Sequence, residues 1–177
     1  MVFAARQKKR KRNKMNRLIG DIKNFLDSRG MLQAEGRLAV AWSGGADSTF
    51  LMWAIRELER SGHTRCLGIH VHHGIRDSSN LEEEKVRDIS ERIGVELEVV
   101  RLSLSPGPGL QERAREARYA ALETVARREK CLGILTGHSF DDQAETVVMR
   151  LLRGAQVRGL RGILPHTERT WLRPMLQ

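Results

Sequence analysis

Acidic residues are absent from the first 17 positions of this chain, cysteine occurs twice and proline four times in 177 residues. Each scarcity excludes a class of protein. Two cysteines, Cys66 and Cys131, cannot form a disulfide framework, so a reducing cytoplasmic setting is expected. No apolar run exceeds about six residues, far short of the roughly 20 needed to span a bilayer, and no membrane association is expected. No apolar stretch follows the N-terminal charges, which argues against a secretory signal. What is present, 40% hydrophobic and 30% charged residues in 20.1 kDa, is the composition of one globular domain able to bury its own core.

The net charge of +9 is a local property. Residues 1–17 carry Arg6, Lys8, Lys9, Arg10, Lys11, Arg12, Lys14 and Arg17; the other 160 residues hold 23 basic and 22 acidic side chains. The expectation is a flexible basic tail over 1–17, followed by a balanced domain over 18–177. Such a tail either contacts RNA phosphates, with affinity that falls as salt rises, or is a solvated leader of no consequence.

Periodicity predicts the domain's class. Leu18, Ile19, Ile22, Phe25 and Leu26 recur at helical spacing, and Gly30 is placed to stop that helix. Strands are expected at 38–42, 66–71, 95–102 and 132–136, and helices at 47–61, 81–93, 111–130 and 141–153. The Pro/Gly loop 105–109 precedes the third of these helices. Strand and helix alternate, so the predicted fold is α/β, a parallel twisted sheet with helices on both faces. Ligands of such sheets bind beyond the carboxyl ends of the strands, which places the chemistry after Trp42, Val71, Leu102 and Thr136.

The first of these points carries the strongest motif. Ser43-Gly44-Gly45-Ala46-Asp47-Ser48 opens a helix directly after a strand. The glycines allow backbone to approach a ligand closely, and the first N–H groups of the helix form a cradle for phosphate. Ser43 and Ser48 add hydroxyls. A carboxylate beside phosphate repels it unless a divalent cation lies between, so Asp47 implies Mg²⁺. The spacing is not that of a Walker P-loop, and no lysine follows. The plain alternative is a helix start capped by Ser or Asp.

Later segments add charged groups. Asp142 and Glu145 share one face of a helix's first turn, suited to metal or to an ammonium group; the alternative is that they merely complement the helix dipole. Arg115 and Arg118 are likewise a turn apart, aimed at pyrophosphate or RNA phosphate, or else paired with Glu112 and Glu116 on a solvated face. His138 either contacts nucleotide or caps the adjacent helix. Cys66, His70 and His72 invite a zinc reading, but they spread over at least about 13 Å of one strand face, too far for a shared tetrahedral centre.

The hexapeptide resembles that of the PP-loop ATP pyrophosphatases, which split ATP to AMP and pyrophosphate while activating a carbonyl. His70-Val71-His72-His73-Gly74-Ile75-Arg76, Gln111 to Tyr119, His138-Ser139-Phe140-Asp141-Asp142-Gln143-Ala144-Glu145-Thr146, Arg150-Leu151-Leu152-Arg153-Gly154 and Leu172-Arg173-Pro174-Met175-Leu176 follow in order. Together, over about residues 35–176, they resemble the N-terminal catalytic domain of the tRNA(Ile)-lysidine synthetases. The resemblance implies an adenine nucleotide alpha hydrolase-like, Rossmann-like fold and a cytoplasmic ligase. That enzyme adenylates the carbonyl oxygen at carbon 2 of a wobble cytidine in a CAU-anticodon isoleucine tRNA, then joins lysine to that carbon. It further implies ATP and Mg²⁺ as cofactors and tRNA, lysine and ATP as partners. Asp47, Arg118, Asp142 and Glu145 would be catalytic, with Asp47 also the metal ligand. Residues 43–48, His70 and His138 would bind nucleotide, and Arg115, Arg150 and Arg153 would bind RNA. In the family the chain continues beyond the Arg-Pro-Met-Leu segment into parts that grip tRNA. These 177 residues are therefore expected to bind ATP, and to be a fragment, a truncated product, or a form that works with a partner, either a second copy or a separate C-terminal chain. Bulky Arg113 stands where the family carries a small residue. Two other readings stay open, a tRNA thiolase of the same superfamily and a non-catalytic nucleotide- or RNA-binding module.

Overall fold

A computed structural model of the chain describes residues 2–72, 74, 78–138, 142, 166–167 and 170–176. The element order is α1 (Val2–Asp27), β1 (Arg37–Ala41), α2 (Ala46–Arg60), β2 (Arg65–His72), α3 (Ser78–Ile93), β3 (Leu97–Arg101), α4 (Leu110–Arg128), β4 (Cys131–Thr136), β5 (His166–Thr167) and β6 (Trp171–Leu172). The strands form one sheet in the order β3-β2-β1-β4-β6-β5. Neighbours pair in parallel from β3 to β6, and β5 closes the edge antiparallel to β6.

β1 is apolar from Leu38 onward because both of its faces are covered there. Leu38 and Val40 enter a core with Ile22, Phe25 and Leu26 of α1, Leu51, Met52 and Ile55 of α2, and Val86 of α3. Ala39 enters the opposite core, with Ile69, Ile134 and Leu122, Val125 and Ala126 of α4. The expected α/β architecture with helices on both faces is the one formed. Each large apolar side chain buried in these layers contributes about 1.5–3 kcal/mol relative to exposure. The fit leaves no slack around Trp42, whose ring lies against β2. A Cβ at Gly68 would stand 2.9 Å from Trp42 Cε3, so only glycine serves there.

Three elements differ from expectation. α1 begins at Val2 rather than near Leu18, so residues 2–17 of the basic segment lie within a continuous helix. No proline or glycine precedes Gly20, and Ala, Arg, Lys and Gln are strong helix formers. β3 spans Leu97–Arg101, shorter than 95–102 at each end. The two-residue strands β5 and β6 were not expected, because two residues carry no periodicity. Of the helix expected over 141–153, only Asp142 lies among the described residues, and it is helical.

An ion-pair triad around the buried carboxylate of Glu83 ties α3 to β3. Glu83, 4% exposed, accepts from Arg87 Nε at 2.9 Å and from Arg101 Nε and Nη2 at 3.1 and 2.9 Å. The hydrogen bonds from Arg101 first, then Arg87, hold its carboxyl down at about 2 against the opposing effect of burial. Unfolded, the group titrates near 4.5. The triad's contribution is therefore complete above that value and drains away as pH falls from there toward 2. Glu83→Gln is expected to cost about 1–2 kcal/mol at neutral pH, allowing for screening at the exposed guanidinium groups. Urea unfolding measured from pH 7 to pH 2.5 checks this: the variant's deficit should shrink as the acid limb is entered.

Candidate active site

The sheet order reverses between β1 and β4, with β2 and β3 on one side and β6 and β5 on the other. Loops leaving the two central strands diverge there and open a crevice, the position where sheets of this type bind ligands. A cleft of about 350 Å³ occupies it, lined by the 43–48 loop, the ends of β1 and β2, one face of α4, and residues 136–138 with Asp142.

The 43–48 segment is arranged for an anion. Gly44 adopts φ 86°, in the left-handed region, with its α face against Val86 and the Glu82 carbonyl of α3. Gly45 is the N-cap of α2 and makes no side-chain cap. The first helical hydrogen bond runs from Thr49 N–H to the Gly45 carbonyl at 3.0 Å. A side-chain-capped start, the plain alternative, is thus not what forms. The two serines stiffen the turn instead. Gly45 N–H donates to Ser43 Oγ (3.4 Å), Ser43 and Ser48 hydroxyls bond at 3.0 Å, and Ser48 Oγ donates to the Gly45 carbonyl at 3.0 Å. Asp47 stands exposed in the first turn of α2, at the cleft.

Gly137 brings the β4 loop onto this helix start. A Cβ there would lie 2.7 Å from Ser48 N and 2.9 Å from Ser48 Cα and the Asp47 carbonyl carbon, all backbone atoms. The absent side chain is what allows two loops from separate strands to share one cleft. Next to it, His138 Nδ1 bonds Thr136 Oγ1 at 2.8 Å. Burial, then the charge of Arg173, lowers the His138 pKa against the opposing pull of Asp142, so the ring is neutral at physiological pH. His138 and Asp142 both line the cleft.

α4 supplies the cation. Arg118 is half-buried at the cleft, its guanidinium 5.8 Å from the Tyr119 ring centroid, and forms no ion pair among the described residues. Arg115 is exposed, packs its guanidinium 5.3 Å from the same ring, and pairs with neither Glu112 nor Glu116. The alternative in which both arginines are neutralised along the helix does not occur. Arg113, the bulky departure, donates to the Ser105 carbonyl at 3.0 Å and clips the Pro/Gly loop to the start of α4.

His70 is 2% exposed, and its Nδ1 lies 2.8 Å from the Trp42 carbonyl. A carbonyl only accepts, so Nδ1 carries the proton; Nε2 is buried with no partner among the described residues. His72 bonds Asn80 and Cys66 donates to Glu59, so the three candidate zinc ligands engage three separate partners. Glu145, Arg150 and Arg153 lie outside the described residues.

Several cleft residues carry no motif of their own. Tyr119, Leu122 and Trp171 form an apolar wall, with the two rings edge-to-face at 4.6 Å, and Glu82 of α3 brings a further carboxylate. The alternation of apolar residues along α4 marks Leu122 as inward-facing, but nothing local joins it to Trp171. Among the described residues no cluster of three or more His, Cys, Asp or Glu is spaced to hold a metal on its own, and no helix is long and apolar enough to cross a membrane.

Residues 10–177 match the ATP-binding PP-loop domain family. The chain belongs to that family. It is 45% identical over 132 residues to the tRNA(Ile)-lysidine synthase of Novosphingobium aromaticivorans, covering 75% of this chain and 40% of the relative. Against the enzyme of that name from Bordetella pertussis it is 41% identical over 153 residues, covering 84% and 47%. Against that from Clostridium acetobutylicum it is 31% identical over 166 residues, covering 90% and 36%. The PP-loop chain thus spans less than half the length of these relatives. Among solved structures, the U34-tRNA thiolase NcsA of Methanococcus maripaludis shares the fold, with a TM-score of 0.72 at 22% identity, over 91% of this chain and 59% of that one.

Gly137→Ala tests the shared cleft. The added methyl must push the 136–138 loop from α2, and a displacement of that size is expected to lower ATP affinity roughly 10–100-fold while the protein stays folded. Calorimetric titration with Mg-ATP, with circular dichroism as the folding control, checks it.

Proposed function

We propose that this PP-loop chain performs the ATP-dependent ligation of lysine to carbon 2 of the wobble cytidine in a CAU-anticodon isoleucine tRNA. The products are lysidine, AMP and pyrophosphate. One observation carries the reading above the others: an uncapped helix N-terminus, a cation with no ion-pair partner among the described residues and three carboxylates line one cleft at the switch point. The relatives named tRNA(Ile)-lysidine synthase direct that chemistry to tRNA and lysine.

In the first step the cytidine carbonyl oxygen attacks the α-phosphorus of ATP, and the α–β phosphoanhydride bond breaks to release pyrophosphate. Backbone N–H groups at the start of α2 hold the departing anion, and Arg118 faces its charge from α4. His70 and His138 border the nucleoside part of the cleft, whose apolar wall of Tyr119, Leu122 and Trp171 suits a purine ring. In the second step the lysine ε-amine attacks carbon 2 and AMP leaves with the former carbonyl oxygen. Asp142, with Glu145 three positions on in the sequence, would hold the lysine ammonium until its proton is given up. Arg115, Arg150 and Arg153 would meet RNA phosphates.

Mg²⁺ fits the donors present. Asp47 and Asp142 offer hard oxygen ligands at the cleft, and this ion is ordinarily held by one or two carboxylates plus substrate phosphates rather than by an all-protein cage. Bound there, it would neutralise charge developing on the pyrophosphate.

Thiolase chemistry is the weaker reading because of where the two thiols sit. Cys66 and Cys131 lie at the starts of β2 and β4, the sheet edge away from the cleft. Burial pushes the Cys131 thiol up to about 11 and the Cys66 thiol higher still, aided by its hydrogen bond to Glu59. Neither is a thiolate at neutral pH.

Labelled-lysine incorporation into a CAU-anticodon isoleucine tRNA transcript, with ATP and Mg²⁺, tests the proposal. Incorporation should be confined to that transcript over a UAU-anticodon control and fall roughly 100-fold or more in Asp47→Ala. Incorporation that ignores the anticodon, or persists in Asp47→Ala, would overturn it.

A further inference from the structure

Residues 13–17 are all exposed, a run longer than one helical turn. From residue 13 onward the first buried side chain is Ile22, with Leu18 and Ile19 partly covered. The helix nevertheless continues back to Val2, and residues 2–17 of it measure roughly 24 Å at about 1.5 Å per residue. Residues 6–14 are exclusively Arg, Lys, Gln and Asn. They offer no apolar stripe with which to pack on a protein core or lie in a bilayer surface. Basic residues also recur at i, i+4 in Arg6–Arg10, Lys8–Arg12 and Arg10–Lys14, and like charges at that spacing destabilise an isolated helix.

We infer that the first four turns of α1 form a basic arm that binds the phosphate backbone of the tRNA substrate. The inference rests on the tRNA reading above and adds a contact that the PP-loop cleft does not supply. A polyanion neutralises the i, i+4 repulsion along the arm, so binding and helix formation reinforce each other. Because phosphate contacts carry no base information, the arm acts on any tRNA alike and leaves discrimination to the anticodon.

The test replaces Lys8, Lys9, Arg10, Lys11 and Arg12 by Gln, which keeps helix propensity while removing charge. Binding of the CAU-anticodon isoleucine tRNA and of an unrelated tRNA is measured between about 50 and 200 mM salt. Mg-ATP binding is measured on the same samples. Each lost phosphate contact flattens the slope of log affinity against log salt by about 0.7–0.9; four lost contacts would cut salt sensitivity over that range roughly 50–150-fold. Equal flattening for both tRNAs, with ATP binding and circular dichroism unchanged, is the expected result. An unchanged slope, or no RNA binding by the unaltered chain, overturns the arm. So does arm-dependent binding to phosphatidylserine vesicles without an effect on RNA. Loss of anticodon discrimination in lysine incorporation would instead count against the lysidine reading, and the salt slope would still judge the arm.

Discussion

The distance between residue 137 and the first turn of α2 governs the rest of this molecule. At 2.7 Å from a hypothetical Cβ to Ser48 N there is no room for a side chain, and none is present. That approach lets the loop after β4 and the loop after β1 face each other across the point where strand order reverses. Asp47 and Ser43 come from one loop, His138 and Asp142 from the other. The sheet supplies the platform: β1 and β4 are central strands, and the larger core holds α2 rigidly through Leu51, Met52, Ile55 and Leu58. Packing far from the cleft thus sets the aim of a few backbone N–H groups inside it.

Charge is distributed by position rather than by total. The helix start and Arg118 bring positive charge to the cleft, while Asp47, Asp142 and Glu82 bring carboxylates suited to cations. An anion and a cation, or a phosphate and an ammonium, can be held side by side in such a field. Groups that would interfere are kept elsewhere. Both thiols sit at the opposite sheet edge in protonated form, and the buried carboxylate of Glu83 is consumed by two arginines in joining α3 to β3.

The parts legible from sequence are those whose physics is local. β1, β2 and β4 read as apolar runs because each is buried on two faces, and the turn at Ser-Gly-Gly-Ala-Asp-Ser is legible because its glycines announce a bend at a strand end. The start of α1 was missed because charge density was taken for disorder, whereas an uninterrupted run of good helix formers continues the helix. β5 and β6 are too short to have a period. The wall of Tyr119, Leu122 and Trp171 and the nearby carboxylate of Glu82 come from three separate regions of the chain, joined only by tertiary packing. Arg113 looked anomalous beside its family and proves to clip a neighbouring loop.

The central claim is that the uncapped start of α2 is a phosphate cradle. Amide chemical shifts of a uniformly ¹⁵N-labelled sample, titrated in turn with pyrophosphate, Mg-ATP and adenosine, test it directly. Pyrophosphate and Mg-ATP should move the Gly44–Thr49 amides most, and adenosine should leave them in place while perturbing residues near Tyr119. If pyrophosphate leaves those amides unmoved and shifts only the basic segment of α1, the cradle is not the anion site and the mechanism built on it fails.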